Sequence, residues 1–361
     1  IELTIGEPDV ETPPELVEAT CDALHRGRTA YSSGRGEAGL IRALAAHYSS
    51  TSGRPIGKDQ VLCFPGTQTA LFAILMGVAE AGDEVLVGDP MYATYEGVIR
   101  ASGATMVPVP LRPENGFRIR AEDIAARITE RSRVILLNTP HNPTGAILRS
   151  EDLAAIGRLA VAHDLWIVSD EVYETLIFDG EMHVSALADE SLADRVIIAS
   201  SISKSHAAPG FRSGWCIGPA DFVSVLLPLS ETMLFGNQPF IADMTEKAID
   251  EGSPVAAGMT ERFASRAALL KKRLHEATCL TVHPPQAGMF AMVDVAATGM
   301  GGHAYAADLL ETAGVAVMPG ASFGETMTGW IRVALTVSDD RFAMACDRIV
   351  DHAADLEKGA A

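Results

Sequence analysis

Ser200-Ser201-Ile202-Ser203-Lys204-Ser205-His206-Ala207-Ala208-Pro209-Gly210-Phe211-Arg212-Ser213-Gly214-Trp215 follows directly on an apolar run, Val196–Ser200, with the composition of a strand buried on both faces. Lys204 stands in it among small hydroxyl residues. Partial desolvation at the end of a buried strand lowers an amine pKa from its usual value of about 10.4 and frees it to attack an aldehyde. Ser201, Ser203 and Arg212 supply the hydroxyl donors and guanidinium that a phosphate dianion demands.

Outward from this stretch, short β-rich runs alternate with helix-length amphipathic runs, the pattern of parallel strands joined by crossover helices. Strands are expected at Val61–Phe64, Glu84–Gly88, Thr105–Val109, Val134–Asn138, Leu165–Ser169, Val196–Ser200 and Gly214–Gly218, with helices at Thr69–Glu80, Tyr92–Ser102, Ala121–Thr129 and Ser150–His163. After Asn237 the pattern becomes long helices, strands near Gly288–Asp294, Val315–Met318 and Ile331–Leu335, and a closing helix from Asp339. The expected fold is α/β, a mostly parallel sheet flanked by helices, plus a smaller α+β unit. Residues 38–250 form the larger unit in this reading, and residues 1–37 with 251–361 the smaller.

In such a sheet ligands gather at the carboxyl ends of the strands. The first strand runs into Pro65-Gly66-Thr67-Gln68, a turn whose amides and helix N-terminus suit a phosphate, although such turns are also common structural features. In Asn138-Thr139-Pro140-His141-Asn142-Pro143-Thr144-Gly145, prolines and a glycine stiffen a turn around Asn142. Asn142 is either a donor to a phenolate oxygen or a turn-stabilising side chain, and His141 reads as a surface turn residue. Asp170-Glu171-Val172-Tyr173 places a carboxylate just after a buried strand, where it either partners a protonated pyridine nitrogen or caps a helix. Arg332, in a β-rich run, reads by itself as a surface residue.

The 361 residues are 48% hydrophobic and 21% charged, an ordinary globular composition with enough length for two packed units. A formal net charge of −19 and the absence of a long Lys/Arg run argue against nucleic-acid binding and against an anionic membrane surface. Cys21, Cys63, Cys216, Cys279 and Cys346 are scattered without C-x-x-C spacing, so neither a disulfide framework nor a metal site is expected. No apolar stretch approaches the ~20 residues of a membrane span, and Ile1-Glu2-Leu3-Thr4 does not open a secretory signal, so a cytoplasmic enzyme is expected. The lack of an initiating Met leaves room for residues ahead of Ile1.

Together these segments resemble the class I/II aminotransferases, the fold-type I enzymes of pyridoxal 5′-phosphate (PLP), along nearly the whole chain. The likeness rests on Gly6-Glu7-Pro8-Asp9, Tyr31 ahead of Gly36, Asp89-Pro90-Met91-Tyr92, Asn142-Pro143-Thr144-Gly145, Asp170-Glu171-Val172-Tyr173, Ser201-Ile202-Ser203-Lys204, Gly210-Phe211-Arg212 and Ile331-Arg332-Val333, all in family order. It implies a PLP Schiff base on Lys204, which also shuttles the substrate proton, and Asp170 on the pyridinium nitrogen. It further implies Asn142 and Tyr173 on the ring hydroxyl oxygen, Tyr92 stacked on the ring, and the phosphate on Gly66, Thr67, Gln68, Ser201, Ser203 and Arg212. Tyr31 would reach across from a second subunit of a homodimer. Arg332, with Asn142 and the backbone at Gly6, would clamp the substrate carboxylate.

The resemblance implies ping-pong transfer of an amino group from an L-amino acid to a 2-oxo acid, with a carbon–sulfur β-lyase on the same fold as the alternative. A PLP-sensing regulator domain is disfavoured because no basic helix-turn-helix segment is present. Gln68 stands where some aspartate-type members have lysine, and Pro209 where many have a small hydroxyl residue. Ser203–His206 and Pro90–Tyr95 look like the arginine:pyruvate type, whereas aspartate, aromatic and kynurenine types share the scaffold.

Overall fold

The computed structural model describes residues 1–360, with side chains through Glu357. In chain order the strands are β1 (Glu2–Leu3), β2 (Val61–Phe64), β3 (Glu84–Asp89), β4 (Thr105–Pro110), β5 (Ser132–Asn138), β6 (Trp166–Asp170), β7 (Val196–Ser201) and β8 (Gly214–Ile217). Four more follow, β9 (Thr281–His283), β10 (Phe290–Asp294), β11 (Ala316–Pro319) and β12 (Trp330–Ala334). The described residues form a seven-stranded sheet, ordered β2-β8-β7-β6-β5-β3-β4, and a five-stranded sheet, ordered β1-β11-β12-β10-β9. The first is the mostly parallel α/β sheet expected from the sequence, and each of its strands lies within a few residues of its expected position.

One strand departs from that expectation. The run Gly214–Gly218 reads as another parallel strand, yet β8 pairs antiparallel with both β2 and β7. A parallel return needs a crossover long enough to retrace the preceding strand. The link from β7 to β8 holds only the helix Ile202–Ser205, roughly 6 Å long, and the single turn Pro209–Phe211, so the chain reverses instead. The expected helix Tyr92–Ser102 also begins later, at Tyr95, after the turn that carries Tyr92.

The large sheet is covered on both faces. On β2, Val61 and Cys63 join one apolar cluster with the helices Ala38–Ser52, Ser150–Ala162 and Pro239–Glu251. Leu62 and Phe64 face the other way, towards Thr67–Val78 and Ala220–Leu234. Each fully buried Leu or Phe contributes about 1.5–3 kcal/mol, so a strand such as Val61–Phe64 has no face it can turn to water.

The five-stranded sheet packs on Ala256–Ala277, Gly302–Ala313 and Asp339–Ala360. Its core also takes in Leu3 from β1 and Tyr173, Leu176 and Phe178 from the segment after β6, so the two sheets meet at the end of the large one. Buried Arg266 ties the N-terminal segment into this unit, donating to Asp9 Oδ2 and Asp339 Oδ1, both at 2.7 Å. The helix Pro14–His25 instead lies against Pro239–Glu251.

Candidate active site

A cleft of about 340 Å³ lies where the carboxyl ends of β5, β6 and β7 face the smaller sheet. Its wall contains Gly6, Thr67, Gln68, Tyr92, Asn142, Asp170, Tyr173, Ser201, Ser203, Lys204, Arg212 and Arg332. Residues dispersed along the whole chain thus converge on one space. Gly66 borders the cleft, with φ +87°, and a Cβ there would lie 2.2 Å from the Arg212 guanidinium. Tyr31 is the exception. It is 86% exposed, set edge-on to Phe235 at 5.0 Å, and this chain does not bring it to the cleft.

Lys204 reaches the cleft from a one-turn helix that starts at the end of β7, and its Nζ donates to the carbonyl of Gly6 at 2.5 Å. Burial pushes its pKa down to about 8, and the Arg212 and Arg332 cations push the same way, against the opposing pull of Glu7. A substantial fraction of the amine is therefore neutral, and nucleophilic, just above neutrality.

Asp170 is the last residue of β6. Burial raises its carboxyl to about 6, and the neighbouring Glu171 adds to the rise. Two donors oppose it, the Tyr95 hydroxyl at 2.7 Å on Oδ2 and the Val172 amide at 3.3 Å on Oδ1. By linkage, a carboxyl raised in this way favours folding while protonated, and that contribution is lost as pH rises through about 6. A cation lodged against Asp170 offsets the cost of ionising it.

Asn138 and Asn142 form a hydrogen-bonded bracket beside Asp170. Asn138 Nδ2 donates to the Asp170 carbonyl at 3.0 Å, and its Oδ1 accepts the Asn142 amide at 2.7 Å. Gly145 closes the turn with φ +71°, where a Cβ would strike Pro285 and the Ala287 carbonyl. His141, expected from the sequence at the surface of the turn, is half-buried. The turn folds inward, placing its ring 2.7 Å from the Thr144 hydroxyl, and burial holds its pKa down at about 4.

Arg332, on β12, is only 6% exposed. Its guanidinium donates to Asn142 Oδ1 at 3.0 Å and to the Thr4 carbonyl at 2.6 Å. The guanidinium carbon lies 3.8 Å from the Phe290 ring centre and 4.4 Å from that of Phe323. Nε is buried without a partner, and burial lowers the pKa to about 10. The fork is rigid, desolvated and incompletely satisfied, which suits a carboxylate. Read alone in the sequence it seemed a surface residue, and the fold overturns that.

At the turn expected to take a phosphate, the Thr67 hydroxyl is buried without a partner at the start of the helix Thr67–Val78, whose first amides have no intrahelical acceptor. Ser201 Oγ accepts the Ser203 amide at 3.3 Å, and Gln68 Oε1 accepts from Thr94 at 3.0 Å. Arg212 is held at φ +52° with its guanidinium on the Pro209 carbonyl at 2.8 Å, so Pro209 buttresses the loop.

Tyr95, Asn138, Phe290 and Phe323 were not singled out from the sequence. Tyr95 and Asn138 lie inside quoted motifs, and their position beside Asp170 was the missing information. Nothing local marks Phe290 or Phe323, which acquire a role only by flanking Arg332.

A desolvated lysine, a buried carboxylate and a caged arginine around one cleft define an enzyme of amino-group chemistry, and the chain belongs to the class I and II aminotransferases, whose family model matches residues 1–349. It is 42% identical over 354 residues to the arginine–pyruvate transaminase of Pseudomonas aeruginosa, covering 98% of this chain and 90% of that protein. The aspartate aminotransferase of Musicola paradisiaca is 30% identical, with 96% of this chain and 87% of that protein covered. Among solved structures, the aromatic aminotransferase from Pyrococcus horikoshii superposes with a TM-score of 0.95 at 28% identity, covering 99% of this chain and 96% of that one. The protein is an aminotransferase of the fold-type I architecture, and its relatives do not favour the β-lyase alternative.

Proposed function

We propose that the cleft binds PLP anchored on Lys204 and that the chain moves the amino group of a cationic L-amino acid, arginine foremost, to pyruvate. The observation that carries the cofactor reading is the lysine amine, lowered to about 8, in one cleft with Asp170 and Arg332. The donor is supported by the 42% likeness to the arginine–pyruvate transaminase.

The residues present fit the group. The unpartnered Thr67 hydroxyl, Gly66, Gln68, Ser201, Ser203 and Arg212 make a pocket for a phosphate dianion. Asp170 would hold a protonated ring nitrogen, Asn142 and Tyr173 the ring hydroxyl oxygen, and Tyr92 one face of the ring. When bound, PLP supplies an aldehyde that accepts the amino group and a ring that draws electrons from the reacting carbon.

Lys204 Nζ would hold the cofactor and, as a neutral amine, would accept and return the proton of the substrate Cα. Arg332 and Asn142 hold the α-carboxylate, with the Gly6 backbone closing that end, and this orients the Cα–H bond towards Lys204. Burial raises the Tyr173 phenol well above its ordinary range, so it serves as a neutral donor.

Tyr31, so exposed in one chain, would complete the phosphate site of a second copy in a homodimer. Residues 38–250 would form the cofactor-binding unit and residues 1–37 with 251–361 the smaller one, supported by the two sheets and by Arg266 bridging Asp9 and Asp339, although the helix Pro14–His25 packs on the larger unit. A reducing, cytoplasmic setting is supported by the free cysteines, and among the described residues no helix is long and apolar enough to cross a membrane.

The test is a panel of amino donors with pyruvate, followed by formation of alanine. Arginine should give the highest kcat/KM. Preference for aspartate or tyrosine would discard the donor while leaving the aminotransferase assignment intact.

A backbone substitution tests the phosphate side. A Cβ on Gly214 would lie 2.6 Å from the Gly66 carbonyl carbon and 2.7 Å from the Thr67 nitrogen, both main-chain atoms that cannot rotate away. Gly214→Ala is expected to push the turn out of line and weaken PLP binding by roughly tenfold or more, as loss of one charge-assisted hydrogen bond implies. Fluorescence titration of the apoprotein measures this, and unchanged affinity would remove the turn from the phosphate site.

A further inference from the structure

Behind the cleft, on the opposite face of the large sheet, lies a polar cluster that the proposed chemistry does not use. Strand alternation creates it: Ser201 of β7 lines the cleft, and Ser200 points the other way. Ser200 Oγ donates to Glu174 Oε1 at 3.0 Å, and the Tyr48 hydroxyl, from the helix Ala38–Ser52, donates to the same oxygen at 3.1 Å. Trp215, opposite Ser200 on β8, donates its indole N–H to the Tyr48 oxygen at 2.9 Å.

Glu171, fully buried beside Asp170, accepts from the Ser169 hydroxyl at 2.9 Å and the Ala186 amide at 3.1 Å, and meets His183 Nε2 at 3.4 Å. The ligand atoms of Glu171, Glu174 and His183 lie within 4.8 Å of one another. The hydroxyl and amide donors already aimed at the two carboxylates mark a hydrogen-bonded tie more than a site for a metal ion.

We infer that Glu174 is a positioning residue for the reaction at Lys204: by accepting from Ser200 and Tyr48 it ties the end of β7 to the segment that begins at Asp170. This rests on the cofactor reading above. The tie is short on both sides, since Ser200 directly precedes Ser201 and the Lys204 helix, while Glu174 is one turn beyond Asp170 and its amide donates to the Glu171 carbonyl at 2.9 Å.

The groups facing Glu174 are Glu171, His183, Tyr48 and Ser200, and those facing Asp170 are Glu171, Tyr95 and the Val172 amide. Burial and Glu171 push the Glu174 carboxyl up to about 7, so it changes charge in the working range. Above that pH it carries a negative charge behind the cleft, which favours a cation held there. Below it, that support is withdrawn.

The experiment follows the visible absorption of the PLP-loaded protein against pH, together with PLP affinity. The wild type should show a two-step curve with an inflection near neutrality. Glu174→Gln keeps Oε1 as an acceptor but cannot titrate, and it should give a single step with its midpoint lowered by about half a unit. Glu174→Ala and Ser200→Ala should weaken PLP binding by roughly tenfold and lower kcat with donor KM unchanged, whereas Glu174→Gln restores the affinity.

A wild-type curve in Glu174→Gln, or wild-type PLP affinity in both Glu174→Ala and Ser200→Ala, would overturn the inference. Failure of the wild type to take up PLP would overturn the cofactor reading and this inference together. Uptake with insensitive variants overturns the inference alone.

Discussion

Lys204→Ala is expected to lose turnover by on the order of 10⁴-fold or more, because in the proposed mechanism one side chain both anchors the cofactor and moves the Cα proton, and a positioned general base alone is worth roughly 10²–10⁴. The variant should still fold. Among the described residues the amine hydrogen-bonds only to the Gly6 carbonyl, and its lowered pKa reflects a cost of desolvation that alanine does not carry. Its thermal midpoint should therefore be unchanged or slightly raised. Borohydride reduction of the PLP-loaded wild type, followed by peptide mapping, should leave pyridoxyl on Lys204, and the variant should give no adduct. Near-normal activity in Lys204→Ala would sink the mechanism.

Arg332→Gln is expected to cost about 3 kcal/mol or more in transition-state binding, roughly 10²–10³-fold in kcat/KM, for every α-amino acid donor. The guanidinium is flanked by Phe290 and Phe323 and anchored by the Asn142 side chain and the Thr4 carbonyl, with Nε left unpaired. Its cage is organised before any ligand arrives. Arg332→Lys should recover only part of the loss, because an ammonium offers a point charge where the site presents a planar fork. An amine lacking the α-carboxylate provides the control, since its slow reaction should be insensitive to either change. Equal losses for that amine would mean that Arg332 maintains the cleft rather than clamping a carboxylate.

The legible parts of the site are those in which chemistry is concentrated locally. Lys204 with Ser201 and Ser203, Asn142 in its proline-rich turn and Asp170 at the end of an apolar run each combine residue type with position at a strand terminus. The strands of the large sheet were legible for a related reason, since burial on both faces leaves nearly continuous apolar runs such as Val134–Leu137. β1 and β9 span only two and three residues, too few for any period to appear, and they form because partner strands accept them.

What the sequence by itself determined was the α/β class, the order of the motifs and the lysine that lines the cleft, because these depend on local composition and on residue types with few alternative uses. Tertiary structure decided the rest. The direction of β8 follows from the reach of a short loop, and the partnership of Tyr95 with Asp170 joins residues 75 apart in sequence. Arg332 meets Asn142 across 190 residues, and only there does an otherwise ordinary arginine become a caged, desolvated fork. These properties depend on desolvation and distance, which arise only when remote segments pack together.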